Sequence, residues 1–208
     1  MDTNEFDYYL VNPVFDGHIP MVRDDDDYPP RQDPYRLCLA SPIPKTPRMV
    51  DYHSLRGSIG IYSQKVYDVL VPLNIKGVYL KHSIIRCQKK KGTRKPIIPA
   101  IIGDKKDKEF DNYYKMNVMN EYLTFDKEKS VYTTFEDGSW LSVDKIVLNI
   151  DTLSKIPLEE RLIYMSEEHC GYTLYHKSIV DVIMSVNPEG VRFTSVEVWK
   201  EGMQFDKE

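Results

Sequence analysis

The sequence lacks the short motifs of the common nucleotide-dependent and metal-dependent enzymes. It contains no G-x-x-x-x-G-K-[ST] phosphate loop and no G-x-G-x-x-G turn. The histidines are dispersed and no C-x-x-C pair occurs, so no pair of residues has the spacing of a zinc site. We therefore expect no cofactor and no metal, and these absences favour a binding protein over an enzyme.

Cysteine is scarce, and long apolar runs are missing. Cys38, Cys87 and Cys170 are odd in number and widely separated, which favours reduced thiols in a cytoplasmic protein over a disulfide framework. No apolar run approaches the ~20 residues that cross a bilayer, so no membrane association is expected. The opening residues, MDTNEFDYYL, are acidic and do not resemble a secretory signal.

The charge balance is mild and slightly acidic. The 208 residues are 41% hydrophobic and 29% charged, with a net charge of −4. These values are typical of a globular protein with a buried core. They argue against direct binding to nucleic acid, which requires a basic surface.

The chain contains two similar segments, residues 61–83 and 174–196, which align without a gap. The identical positions are Tyr62, Asp68, Val69, Asn74, Gly77 and Val78 in the first copy, and Tyr175, Asp181, Val182, Asn187, Gly190 and Val191 in the second. None of them forms a paired acid and base, a ligand set or a phosphate loop. The chain therefore repeats a packing unit.

The repeated unit predicts a helix, a tight turn and a strand. In the first copy Val66, Leu70 and Leu73 continue an apolar stripe at helical spacing, with Ser63 as its N-cap, and Ile179, Ile183 and Val186 do the same in the second. The asparagine and glycine that follow tolerate positive φ. The apolar period then changes to that of a strand, with a bulge expected near Ser195.

The rest of the chain predicts an α+β fold, with a mixed or antiparallel sheet and a few short helices. We expect one immunity-type domain over residues 1–208. Residues 16–50 are rich in proline and aspartate and predict a loop region, interrupted by a short strand at residues 37–39. Further short strands are expected between residues 110 and 165.

Few side chains suit catalysis. His169 and Cys170 are adjacent, but a catalytic Cys–His pair must be close in space rather than in sequence. The pairs Glu159–Glu160 and Glu167–Glu168 are candidate acids and bases, although acidic pairs are more often solvated surface.

One charged segment is the candidate partner-binding site. Asp24, Asp25, Asp26 and Asp27 form an acidic run that ends in Tyr28. If the partner is basic, the aspartates would steer its approach and Tyr28 would anchor it. The alternative is an idle, disordered loop, which the surrounding prolines also allow.

Several segments, taken in chain order, resemble one known family. They are YYLVNPVFDG, FDNYYKMNVMNEYLTFDKEKS, VDKIVLNID and LYHKSIVDVIMSVNPEGVRFTSV. They are similar to the immunity protein 11 family, which is found beside bacterial polymorphic toxins. The closing phrase, an apolar helix followed by G-V-R-F, is the most specific match, and the resemblance covers about residues 6–200.

The resemblance implies a non-enzymatic protein that binds and neutralises a cognate toxin, the C-terminal domain of an effector used in interbacterial competition. A cytoplasmic inhibitor implies a toxin that acts in the cytoplasm, for example a nuclease. Two alternatives stay open at this point. One is an adaptor module that binds another protein, and the other is a hydrolase that uses a cysteine or a carboxylate.

Overall fold

A computed structural model describes residues 5–14, 16, 18–25, 33–39, 48–55, 59–86, 109–136, 140–168, 172–200 and 202–203. The strands are β1 (Tyr8–Pro13), β2 (Val22–Asp24), β3 (Tyr35–Leu39), β4 (Tyr52–Leu55), β5 (Ile59–Ser63), β6 (Val78–Arg86), β7 (Glu109–Val118), β8 (Glu121–Tyr122), β9 (Val131–Thr134), β10 (Trp140–Lys145), β11 (Ile163–Ser166), β12 (Thr173–His176) and β13 (Val191–Ser195). The helices are α1 (Gln64–Leu70), α2 (Ile150–Leu153) and α3 (Lys177–Ser185), and single 3₁₀ turns lie at Val71–Leu73 and Leu158–Glu160.

The architecture is mostly strand, with short helices, so the expected α+β class holds only in its coarse form. A five-stranded sheet has the order β13-β1-β12-β11-β8. A six-stranded sheet has the order β2-β3-β6-β7-β5-β4 and curls until β2 lies near β4, which makes it nearly a closed barrel. Both sheets are mixed, because β3 runs parallel to β6 and β8 parallel to β11. Strands β9 and β10 form a separate ribbon.

The expected loop region, residues 16–50, is not all loop. Strands β2 and β3 lie inside it and pair with each other, and β3 also pairs with β6. The prediction of a short strand at residues 37–39 is therefore confirmed. Leu37, Cys38 and Leu39 are buried inside the six-stranded sheet, so the apolar content of this stretch outweighed its prolines.

Both repeated segments form the predicted helix, turn and strand. Asn74 and Asn187 adopt φ values of 44° and 47°, and Gly77 and Gly190 follow with 75° and 83°. The predicted positive φ values are thus confirmed at all of these positions. A residue in the left-handed conformation ends the helix and reverses the direction of the chain, so the next strand can join the sheet from which the helix started.

Three details of the repeat differ from expectation. Leu73 is 40% exposed, because the helix ends at Leu70 and the 3₁₀ turn rotates this side chain away from the core. Ser63 occupies the N-cap position, but its hydroxyl donates to Asp51 Oδ1 at 2.6 Å instead of capping the helix. The expected bulge at Ser195 is wrong, because β13 pairs with β1 without a break and ends there in a turn.

The similarity extends to the strands around each unit. Strands β6, β7, β5 and β4 are neighbours in that order in one sheet, and β13, β1, β12 and β11 in the other. The register also agrees, since Tyr62 faces Tyr114 and Tyr175 faces Tyr9. Strand β1, the first in the chain, takes the place that β7 has in the other unit. The second unit is therefore a circularly permuted version of the first.

The two units pack against each other through equivalent residues. Helices α1 and α3 are in contact. Tyr62 and Tyr175, which are the same position in the repeat, are fully buried and their hydroxyl oxygens lie 2.9 Å apart. Val66, Leu70, Ile179 and Ile183 join them in one core cluster between the sheets. The arrangement is typical of a pseudo-twofold axis that passes close to the tyrosine pair.

The turns of the two units also reach across to the opposite unit. The amide of Glu189 donates to Asp51 Oδ2 at 2.9 Å, just before β4. At the other turn, Asn120 Nδ2 donates to the carbonyls of Lys76 and Glu160, which joins that turn to the segment before β11. The turn of the second unit is thus bonded to the residue before β4 of the first unit, and the turn of the first unit to the segment before β11 of the second.

Candidate protein-interaction surface

Strand β6 is longer than the neighbour that covers its outer side. It pairs with β7 from Val78 to Arg86, but β3 covers only Ser83 to Arg86. Among the described residues, no strand pairs with the outer side of residues 78–82, which we call the β6 edge. A strand edge of this kind presents free main-chain donors and acceptors to a partner.

The register shows which main-chain groups face outward. The amide of Met119 donates to the carbonyl of Gly77 at 2.8 Å, so Val78 and Val118 form a non-hydrogen-bonded pair. Because pairs alternate along an antiparallel ladder, Leu80 and Met116 are a non-hydrogen-bonded pair as well. The N–H and C=O of Leu80 therefore point away from β7, toward the open side.

An apolar groove of about 240 Å³ lies beside the β6 edge. It is lined by Leu70, Val71, Asn74, Ile75, Val78, Tyr79, Leu80 and Met116. Several large apolar side chains near it are exposed, including Val71 at 45%, Tyr79 at 63% and Met119 at 68%. Clustered exposed apolar side chains of this kind are typical of interaction sites.

Basic side chains border this edge. Lys76 pairs with Glu160 at one end, while Lys81 and Lys115 lie over the ring of Tyr35, with Nζ 5.8 and 4.0 Å from its centroid. The pairing with Glu160 holds the pKa of Lys76 above its usual value, so this side chain is fully cationic at neutral pH. Lys81 and Lys115 therefore supply the positive charge of this border, while the charge of Lys76 is balanced by Glu160.

The basic border belongs to one unit only. By the register of the repeat, the positions that carry Lys76, Lys81 and Lys115 in the first unit carry Glu189, Thr194 and Leu10 in the second. Strand β13, which is equivalent to β6, is also an outer strand of its sheet. There the chain's own C-terminal part lies close, since Arg192 donates to the carbonyl of Met203. The two edges are thus alike in backbone and different in chemistry.

Two residues of the predicted acidic site, Asp24 and Asp25, lie in the described part of the chain, and both make contacts within the protein. Asp24 ends β2 and accepts a 2.5 Å hydrogen bond from the hydroxyl of Tyr35. The carboxylate of Asp25 is fully buried and accepts two 2.7 Å bonds from the guanidinium of Arg86. Asp25 therefore serves the protein's own packing. Asp26, Asp27 and Tyr28 lie outside the described residues, and their partner-binding role stays a prediction.

Two of the candidate catalytic carboxylates, Glu160 and Glu168, make contacts with other parts of the chain. Glu160 pairs with Lys76. Glu168 accepts from the amide of Phe125 at 2.8 Å and from the hydroxyl of Ser166 at 2.9 Å, so it joins two segments of chain. His169, Cys170 and Cys87 lie outside the described residues. In the described part of the chain, no cluster of three or more His, Cys, Asp or Glu side chains has the geometry of a metal site.

No protein-family model matches the chain. No curated protein matches it either. In the described ranges, no helix is both long enough and apolar enough to cross a bilayer.

Sequence reasoning missed the β6 edge. It assigned Leu73 to the core stripe and did not distinguish a covered strand from an uncovered one. The available signal was length, because β6 continues well beyond the short apolar run of β3. That comparison requires knowledge of which strands are neighbours, and the sequence pattern of a single strand does not carry it.

Proposed function

We propose that this protein is an immunity protein, which binds a cognate bacterial toxin in the cytoplasm and neutralises it. The proposal rests on the resemblance described above and on one structural observation. That observation is the exposed apolar surface beside the β6 edge, on a scaffold whose two halves are fastened together by reciprocal contacts. An inhibitor needs a stable scaffold and a complementary surface, and it needs no catalytic constellation of its own.

The surface has the composition expected of a binding site. Tyr79 is an exposed aromatic residue that lines the groove together with Val71, and Met119, also exposed, follows Val118, the partner of Val78. Tyrosine is enriched among residues that dominate binding energy, because it combines a large apolar ring with a polar end. The surrounding lysines supply a charged rim, which governs the rate of encounter more than the final affinity.

The direct test is coexpression with the protein encoded beside this gene. We expect the neighbour to arrest growth alone and growth to return when this chain is present. We also expect a stoichiometric complex with nanomolar or tighter affinity, which is about −12 kcal/mol. A neighbour that is harmless, or that is toxic and does not bind, would contradict the proposal.

A pair of variants tests whether the patch carries the binding. Tyr79→Ala should weaken the complex at least about tenfold, because a central aromatic anchor is removed. Phe135→Ala is the matched control, since Phe135 is 52% exposed and lies between the two strands of the separate β9–β10 ribbon. Equal losses for the two variants would show that the patch has no special part in the complex.

An adaptor that binds some other protein is the second candidate, and the same surface favours it. The two candidates differ in what happens to the neighbouring gene product. Rescue of growth identifies an immunity protein, whereas a complex formed without any change in toxicity identifies an adaptor.

A further inference from the structure

We propose that the β6 edge binds an extended acidic segment of the partner protein, which adds to the six-stranded sheet as an extra strand. This inference deepens the proposed function and rests on it for the source of the segment, the cognate toxin. In strand addition, main-chain hydrogen bonds supply affinity and pockets for alternate side chains supply specificity.

The main-chain geometry suits an added strand. The N–H and C=O of Leu80 face the open side, together with the carbonyl of Val78 and the amide of His82, by the alternation established above. The amide of Val78 is already used, because it donates to the carbonyl of Ile75 at 3.2 Å. The open stretch therefore has a defined start at the turn and a defined end where β3 begins to pair at Ser83.

The side chains on the two faces of this edge differ. Val78 and Leu80 line the apolar groove. Lys81 lies on the opposite face, over the ring of Tyr35, and Tyr79, which alternates with Val78 and Leu80, stands at the rim of the groove. A strand that pairs with β6 places its side chains alternately on these faces. It must therefore alternate apolar residues, which enter the groove, with residues that complement Tyr79 and Lys81.

The charge of the lysines near the edge determines which residues of the partner strand can lie opposite Tyr79 and Lys81. Lys81 lies on β6 itself and Lys115 beside it on β7, whereas Lys76 at the start of the edge is paired with Glu160. Acidic side chains opposite Lys81 form cross-strand ion pairs, whereas basic ones meet like charge. Pairing of two β6 edges from two copies of this chain brings the basic borders together, so charge favours an acidic partner over self-association.

The equivalent edge of the second unit provides an internal contrast. Strand β13 has the same backbone register against β1 that β6 has against β7. It carries no lysine at the equivalent positions, and its one cation, Arg192, stands where β6 has Tyr79 and donates to the carbonyl of the chain's own Met203. Because Glu189 replaces Lys76 and Arg192 is engaged within the chain, we expect an acidic segment to bind β6 more tightly than β13, which makes residues 191–195 a control within the same molecule.

The first experiment uses two synthetic peptides, one alternating valine with glutamate and the other valine with lysine. Each is titrated into the full-length ¹⁵N-labelled protein at low salt. The glutamate peptide should shift the amides of Leu80 and His82, leave residues 191–195 unchanged, and bind at least about tenfold more tightly than the lysine peptide. Equal binding of both peptides, or shifts that avoid the β6 edge, would overturn the inference.

Variants then test the edge directly. Lys81→Glu should abolish the preference for the glutamate peptide, while Lys127→Glu, the same charge change on an exposed turn, should preserve it. Leu80→Pro removes the outward N–H but no bond to β7, because proline is tolerated where the amide faces an open edge. Loss of binding in folded Leu80→Pro supports strand addition, and unchanged binding contradicts it. Lys81→Glu decides the question if the proline variant does not fold.

Complexes with the neighbouring gene product separate this inference from the proposed function. If that protein binds the wild type and Lys81→Glu equally, the edge inference fails and the proposed function stands. If it does not bind at all and the glutamate peptide still shifts Leu80, the proposed function fails and the edge inference stands. A concentration-dependent dimer that disappears in Leu80→Pro would assign the edge to a second copy and overturn the inference.

Discussion

The tyrosine pair between the two units leads to a prediction about non-additive stability. The hydroxyls of Tyr62 and Tyr175 lie 2.9 Å apart, and either could donate by distance alone; because the Tyr175 hydroxyl also lies 3.5 Å from Met116 Sδ, a second acceptor, we infer that Tyr175 donates to the sulfur and Tyr62 donates to Tyr175. Burial raises the pKa of both phenols, so both are neutral throughout the working pH range. The result is a directed chain of hydrogen bonds from Tyr62 to Tyr175 to the sulfur.

The two single substitutions should therefore differ. Tyr175→Phe removes the acceptor of the buried Tyr62 hydroxyl, and an unsatisfied buried donor costs about 1–3 kcal/mol. Tyr62→Phe leaves Tyr175 still bonded to Met116 and should cost about 1 kcal/mol, the usual net value of one hydrogen bond. Tyr175→Phe is thus expected to be the more damaging change, although both positions are fully buried.

The double variant is the decisive one. With both hydroxyls replaced by hydrogen, no donor is left unsatisfied, and such paired replacements are nearly neutral. We expect Tyr62→Phe with Tyr175→Phe to be more stable than Tyr175→Phe alone. Urea unfolding of all four proteins measures the free energies, with equal m-values as the check that the comparison is valid. Simple additivity, with the double variant least stable, would refute the bonding order.

Two further predictions concern pH and a turn. Burial lowers the pKa of His53 to about 4, and its Nδ1 lies 3.2 Å from the carbonyl of Pro20. Because the unfolded chain binds a proton near the ordinary pKa of 6.5 and the folded chain does not, stability should fall by about 3 kcal/mol as the pH drops from 6.5 to 4. Urea titrations across this window should show a shallower fall for His53→Gln, and an equal fall would exclude this histidine as the cause. At Gly190, with φ of 83°, an added Cβ would lie 2.5 Å from Val50 Cγ2, whereas at Gly202, with φ of 94°, it would meet nothing within 4 Å. Thermal melts should therefore show a larger loss for Gly190→Ala than for Gly202→Ala, since the second carries backbone strain alone.

Local structure was predictable where neighbouring residues determine it. The asparagine and glycine of each repeat indicate a turn with positive φ without reference to any distant residue. The apolar spacing before them indicates a short helix in the same way. Val66 and Ile183 are buried as that spacing predicts. The prediction was wrong for Leu73, because the helix ended one turn earlier than the apolar pattern does.

Long-range structure was not predictable from these patterns. The salt bridge between Asp25 and Arg86 joins residues 61 positions apart. No pattern in the neighbouring sequence indicates which aspartate of the acidic run would pair with Arg86. The equivalence of β1 and β7 was hidden for a different reason. Strand β7 follows the first repeat in the chain, whereas β1 precedes the second. A gapless alignment of the two repeats therefore includes neither strand.

The permuted order has a consequence for synthesis on the ribosome. The first unit is nearly continuous in the chain, since β4 to β7 span residues 52–118. The second joins the earliest strand to the latest, because Tyr9 pairs with both Tyr175 and Ser195. At 5–20 residues per second, β1 emerges on the order of ten seconds or more before its partners exist. Until then the side chains of β1 that are buried in the folded protein stay exposed, because no partner strand has been synthesised. During this interval the nascent chain is most susceptible to incorrect strand pairing and to binding by a chaperone.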